Sequence, residues 1–233
     1  MSEQEPNLLI IFLDEPIPGK VNTRMASDHG DEEASVRYRA MTSVLLQQLE
    51  GLNNTRVRFC YSPDDAGETI SFWVLPLLRG HVIKRGQSFL YTPERNATAF
   101  NIEFAPQGEG PEHERLKRAT EQAFKDGFSK VASIHSNCIQ CGSRWINAAF
   151  LQTKDNTCTI GPAPDDEHYL LATTQFYPEL FSPEQPPQAV AESLGLKLIT
   201  LPELPKIHTS AHWDQTLEDP IGGKLKAAHK KES

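Results

Sequence analysis

A few clusters of residues in this chain have types and spacings that could do chemistry. The loop Asp14-Glu15-Pro16-Ile17-Pro18-Gly19-Lys20-Val21-Asn22-Thr23-Arg24 comes first, because it follows the apolar run Leu8–Leu13. Lys20 and Arg24 supply positive charge, Gly19 lets the backbone approach closely, and a following helix can aim free amides at an anion. Together these parts would hold a phosphate. An isolated Pro-Gly-Lys is more often a surface turn with solvated cations. Its place at the carboxyl end of an apolar strand, where open parallel sheets keep their ligands, narrows those odds.

The remaining clusters carry less. Cys138-Ile139-Gln140-Cys141, with His135 three residues earlier, has metal or redox spacing. A zinc ribbon wants a second pair, which Cys60 and Cys158 do not form in sequence, so buried thiols are favoured. His208 and His212 lie four apart without the glutamate of a His-Glu-x-x-His zincin, and chance pairing is the better reading. Asp64-Asp65 and Asp165-Asp166-Glu167 read by default as solvated loops. Neither a Gly-x-Ser-x-Gly elbow nor a Walker loop is present, so serine-hydrolase and P-loop chemistry drop out.

These residues must be positioned by a fold, and the composition is that of a globular protein. The chain has 233 residues, 38% of them apolar and 23% charged, and its formal charge of −8 comes from 23 basic against 31 acidic residues. Such a surface repels phosphate backbones, which argues against nucleic-acid partners, while leaving room for a small anion held by a few cations in one cleft. The run Leu8–Leu13 is far shorter than the ~20 residues of a membrane span, and the acidic start Met1-Ser2-Glu3-Gln4-Glu5 does not resemble a signal peptide. A soluble, cytoplasmic protein with reduced cysteines and no membrane partner is expected, and the Asn-x-Thr triplets at Asn53 and Asn96 then carry no meaning. The oligomeric state is not readable.

The periodicities predict alternating strands and helices. The unbroken run Leu8–Leu13 suits a central strand buried on both faces. Ala34, Tyr38, Met41, Leu45 and Leu49 recur at helical spacing up to Gly51, and Val57, Phe59 and Tyr61 then alternate as a strand. A short helix is expected over residues 66–78, with strands at Phe89–Tyr91 and Ala99–Phe104. Beyond these come a helix through Leu116, Ala119, Ala123 and Phe124, a strand at Val131–Ile134, a helix over Arg144–Leu151, and strands at Cys158–Ile160, Tyr169–Ala172 and Leu196–Thr200. Ser182–Pro187 reads as surface loop. The whole implies one domain over 1–221, a three-layer α/β/α sandwich with a mostly parallel central sheet. Residues 222–233, with Lys224, Lys226, Lys230 and Lys231, read as a solvated basic tail.

At the level of motifs the chain resembles a bacterial family of glycosyltransferase-A-like proteins of largely undetermined activity, similar to the guanylyltransferases that build molybdenum and deazaflavin cofactors. The family's Pro-x-Pro-Gly-x-Val-Lys-Thr-Arg-Leu stands here as Pro16 to Met25, with Asn22 in place of the lysine. Its Gln-Gly-x-Gly-Asp-Leu-Gly-Glu-Arg-Leu stands as Gln107 to Leu116, keeping Glu114 and Arg115. Where the family has Gly-Ser/Thr-Asp-Cys-Pro, this chain reads His135-Ser136-Asn137-Cys138-Ile139. Gly-Pro-Ala-x-Asp-Gly-Gly-Tyr-Tyr-Leu becomes Gly161 to Leu170, which keeps Asp165 but loses the glycines, and Asp-Val-Asp-Thr becomes Lys206-Ile207-His208-Thr209. Residues 79 to 98 look inserted.

The resemblance implies a glycosyltransferase-A-like fold and a ligand that is a nucleotide or nucleotide sugar. Pro18, Gly19, Lys20, Thr23, Arg24, Gln107 and Arg115 would then be the nucleotide-binding residues. Mg²⁺ or Mn²⁺ would lie among Asn137, Asp165 and His208, with Glu114, His168 and Asp165 as catalytic candidates. Two readings stay open: metal-assisted glycosyl or nucleotidyl transfer, and a nucleotide-binding or regulatory module that has lost the metal-binding acids and with them turnover.

Overall fold

The computed structural model describes residues 6–78 and 102–233. The strand expected at Phe89–Tyr91, the first half of that at Ala99–Phe104, and the segment expected as an insertion lie outside the described residues; the second half of Ala99–Phe104 is strand.

Seven strands form one sheet: β1 (Asn7–Asp14), β2 (Thr55–Ser62), β3 (Ile102–Pro106), β4 (Val131–Ile134), β5 (Thr157–Pro162), β6 (His168–Thr173) and β7 (Lys197–Thr200), in the order β3-β2-β1-β4-β6-β5-β7. β6 runs antiparallel to both β4 and β5, and every other pairing is parallel. The expected mostly parallel three-layer α/β sandwich is what the chain adopts. β1, expected at the centre, is an interior strand next to the middle one, β4, paired on both sides and apolar on both faces. Leu9, Ile11 and Leu13 pack with the helices α2 (Asp31–Gln48), α3 (Gly67–Leu78) and α5 (Ser143–Gln152), while Leu8 and Ile10 pack toward α4 (Glu112–Lys125) and α6 (Pro187–Ser193). In β2 the alternation puts Val57, Phe59 and Tyr61 in one layer and turns Arg58 to the other, where it pairs with Glu103 at 2.8 Å and Asp126 at 2.7 Å.

Two segments differ from the sequence reading. Pro187 starts α6 at its first turn, where a missing N–H costs nothing, so only the residues before it are loop. Residues 222–233 are not a solvated tail: Gly222–Glu232 form helix α8, with Leu225 fully buried. Leu225 and Ala228 lie three apart on one helix face, against Val21, Met25, Met41, Ile207 and Trp213, while Glu33 on α2 holds His229 at 2.9 Å and Arg39 reaches Glu232 at 3.2 Å. So narrow a stripe is hard to see among four lysines. Leu225→Ala should therefore lower stability by about 2 kcal/mol in urea unfolding, the low end for a buried leucine. A floating tail would show no change.

The helix α7 (Ser210–Glu218) completes this layer, and a short helix α1 (Thr23–His29) leaves the Lys20 loop. Among the described residues no helix is long and apolar enough to cross a membrane.

Candidate functional site

The carboxyl ends of β1 and β4 open on a cleft of about 690 Å³. Ligands of open α/β sheets sit at such an edge. The first wall is the loop after β1. Asn22 takes a left-handed conformation (φ 49°) at the start of α1, and its side chain donates to the Ala34 carbonyl at 3.3 Å. Gly19 also has positive φ, 76°, and an added Cβ would stand 3.2 Å from the Asp31 carboxylate. Ser35 on α2 pins the Pro16 carbonyl at 2.6 Å. The loop is thus tied to α2, and Lys20, Thr23 and Arg24 line the cleft from it. Among the described residues neither Lys20 nor Arg24 forms an ion pair. Pro18 and Gly19 shape the turn and do not line the cleft.

The second wall comes from α4. Glu112 and Arg115 lie three apart on its inner face and reach the cleft together with His113. Glu114 sits on another face, pairs with Lys117 at 2.9 Å, and does not line the cleft. Gln107 is buried and fully used: its Nε2 donates to the carbonyls of Leu13 at 3.2 Å and Cys60 at 2.9 Å, and its Oε1 accepts from Arg115. It ties the ends of β1 and β2 to α4. Asp14 ends β1, with its amide donating to the Tyr38 hydroxyl at 2.8 Å. Desolvation raises the Asp14 carboxyl above its usual range; Arg115 works against this and Glu112 with it.

The third wall brings together β4, the β5–β6 turn and the segment after β7. Ile207 donates its amide to the Asn137 carbonyl at 3.0 Å, which seats Lys206 and His208 beside the end of β4. Asn137 Nδ2 approaches His208 Nδ1 at 3.1 Å, and His208 Nε2 lies 3.1 Å from Glu167 Oε2. The two partners set the tautomer, with Nδ1 accepting and Nε2–H donating. The same Glu167 oxygen meets Lys206 Nζ at 2.5 Å. Burial opposes it, but Lys206 and His208 together hold Glu167 below the usual carboxylate range. Desolvation also lowers His208, against the pull of Glu167.

His135 and Glu112 form a further pair, with Nδ1 and Oε1 at 3.3 Å, and that hydrogen bond holds Glu112 down at about 2. The His135 ring meets His168 edge-on at 5.3 Å. Burial, then the charges of His135 and Lys206, push His168 down to about 3. A base works best with a pKa near the operating pH, so His168 is a neutral hydrogen-bonding group rather than a proton acceptor.

The structure thus gathers Lys20, Thr23, Arg24, Gln107, Arg115, Asn137, His168 and His208 around one cleft and leaves Pro18, Gly19, Glu114 and Asp165 outside its lining. Asp165 (φ 63°) lies in the β5–β6 turn and lines a smaller neighbouring cavity of about 190 Å³. Asp166 (φ 58°) takes the left-handed backbone that a glycine would accept freely, and aspartate tolerates it. Of the three residues expected around an ion, Asn137 and His208 bond each other across the main cleft, and Asp165 shares the smaller cavity with His208. Among the described residues no group of three His, Cys, Asp or Glu side chains could hold a metal ion. Cys138 and Cys141 are buried free thiols, both raised by burial, as the lone Cys-x-x-Cys suggested.

Sequence reading did not select Asp14, Tyr38, Glu112, His113, Asp166 or Lys206. A helical wheel pairing Glu112 with Arg115 would have found one of them. Three residues of the lining carry buried polar atoms without a partner among the described residues: Asn137 Oδ1, His168 Nε2 and Arg115 Nε. Buried groups of this kind are almost always satisfied, at a cost of about 1–3 kcal/mol where they are not, so these three atoms leave hydrogen-bonding capacity in the cleft wall.

A sequence profile of the family described as "Uncharacterized protein conserved in bacteria (DUF2064)" matches residues 45–184. No curated protein matches the chain significantly. Among solved structures, one from Desulfovibrio desulfuricans G20, provisionally described as a nucleotide-diphospho-sugar transferase, has 22% identity and a TM-score of 0.73 over 97% of both chains. A 4-diphosphocytidyl-2C-methyl-D-erythritol synthase from Anaerococcus prevotii has 10% identity and a TM-score of 0.54, covering 97% of this chain and 96% of its own. A nucleotidyl transferase from Methanothermobacter has 11% identity and a TM-score of 0.55, covering 96% of this chain and 100% of its own. At these identities the likeness establishes the fold.

Proposed function

This chain belongs to the bacterial family DUF2064, and from that membership and the cleft we propose that it binds a nucleotide or nucleotide-diphosphate sugar and acts as a transferase on it. The observation that carries the reading is the convergence of Lys20, Arg24 and Arg115 on one cleft with the unpartnered Asn137 Oδ1 and His168 Nε2. Phosphates need cations, and Lys20 and Arg24 have no carboxylate partner among the described residues. A base, sugar or acceptor hydroxyl would satisfy the unpartnered amide and imidazole. The fold of the neighbours, described as nucleotidyl and nucleotide-sugar transferases, supports the ligand class.

For transfer, positive charge must meet the leaving phosphate, a task for Lys20 and Arg24. His135, oriented by Glu112, is better placed than Glu114 to take the proton of an acceptor hydroxyl. A second reading, binding without turnover, is favoured by one observation: Asn137 and His208 are spent on each other. Thermal melting against nucleotides and nucleotide sugars tests the ligand class. A true ligand at 100 times its dissociation constant stabilises by ~2.7 kcal/mol, a shift of roughly 5 to 10 °C for a chain of this size. Product formation from the ligand that shifts the melt then separates transferase from binding module. No shift with any member of the panel would end both readings.

A further inference from the structure

Proteins of this fold commonly recruit a divalent ion through carboxylates, yet two of the four acids lining this cleft, Glu112 and Glu167, are already committed to cations of the chain itself. Glu112 pairs with His135 at 3.3 Å. Glu167 gives one oxygen to Lys206 at 2.5 Å and to His208 at 3.1 Å. We infer that Lys206 is the site's tethered counter-ion: its ammonium supplies the positive charge that a metal would bring, and the cleft takes an anionic ligand without a divalent cation. The inference deepens the nucleotide reading and rests on it for the identity of the anion.

Three features of Lys206 support the role. Its backbone is held in register on both sides, Leu204 donating to the Pro162 carbonyl at 3.0 Å and Ile207 to that of Asn137 at 3.0 Å. Its side chain is 8% exposed, so the ammonium is fixed rather than sweeping through solvent. It lines the main cleft and the adjoining smaller cavity alike, between the two spaces where donor and acceptor would sit. An ammonium carries three N–H donors, and Glu167 leaves others for a phosphate. A divalent ion seated at Glu167 would have to expel Lys206, stranding a buried charge, and would face Lys20, Arg24 and Arg115 on the same lining. His208, bonded on both ring nitrogens, offers such an ion no lone pair.

Two measurements decide this. Titration of Mn²⁺ into the protein, followed by the electron paramagnetic resonance of the free ion, should show no uptake at micromolar to sub-millimolar concentration. Lys206→Asp/His208→Asp, which removes both tethered groups and adds two carboxylates, should take the ion up. Uptake by the wild-type protein that Glu167→Gln abolishes would overturn the inference, and this arm needs no nucleotide. In the second arm, binding of inorganic pyrophosphate in EDTA should weaken about tenfold on Lys206→Met and be kept by Lys206→Arg, the loss of one charge-assisted hydrogen bond. Equal binding by Lys206→Met and wild type, or a tenfold tightening of wild-type binding by Mn²⁺, would refute it. Failure of every nucleotide in the melting panel, by contrast, would count against the ligand class alone.

Discussion

Replacing Lys20 and Arg24 together by alanine should weaken nucleotide-diphosphate binding roughly a hundredfold and cancel the ligand-induced rise in melting temperature. Each cation contributes one charge-assisted hydrogen bond to phosphate. At the low end, about 1.5 kcal/mol each because both side chains are exposed, the pair is worth about 3 kcal/mol. The unliganded melting temperature should hardly move, since neither side chain is in the core nor paired among the described residues. The single variants should each lose about tenfold. The check is isothermal titration of wild type and the three variants with whichever nucleotide shifts the melt. Unaltered affinity in the double variant would mean that the anion is held elsewhere.

The second large effect is on stability against pH. His168 falls from an ordinary value of 6.5 to about 3 in the folded chain, because burial and the charges of His135 and Lys206 disfavour its protonated form while Glu167 and Glu112 only partly compensate. The unfolded chain therefore binds more protons than the folded one between these values, and stability rises with pH across the window. The contribution is fully present above about 6.5 and is lost as the pH falls toward 3. At ~1.4 kcal/mol per unit, acidification from 6.5 to 5 should remove about 2 kcal/mol through this group, before the carboxylates matter. Glu112, held at about 2, adds a loss of the same sign at lower pH. His208, lowered by desolvation, adds a loss of the same sign below its ordinary value. His168→Gln keeps a hydrogen-bonding side chain and removes this titration, so the gap between urea midpoints at pH 7 and 5 should be smaller in the variant than in the wild type. Equal pH slopes in variant and wild type would show that His168 is not buried neutral.

Much of this architecture can be read from residue order. β1 declares itself by six apolar residues in a row, α2 by its spacing, β2 by alternation, and these three already place the Lys20 loop at a carboxyl-end rim. What escapes is whatever depends on distant pairing. α8 hides because lysines surround its single apolar stripe and only the partner surface on α2 and α7 gives that stripe a use. Gln107 looks like a ligand residue, yet its amide is consumed in joining two strand ends to Arg115. Glu114 looks like a base because of its neighbours in sequence, but helical rotation turns it away while bringing Glu112 in. Lys206 and Glu167 stand 39 positions apart, and nothing local announces that they meet at 2.5 Å.

The central claim is that this cleft holds a nucleotide diphosphate on Lys20 and Arg24. It is tested most directly by a crystal structure of the protein soaked, in EDTA, with the nucleotide that most stabilises it. The phosphates should lie within about 3 Å of the Lys20 ammonium and the Arg24 guanidinium, the distance of a charge-assisted hydrogen bond. Phosphate density outside the cleft, or phosphates in it that touch neither side chain, would contradict the account.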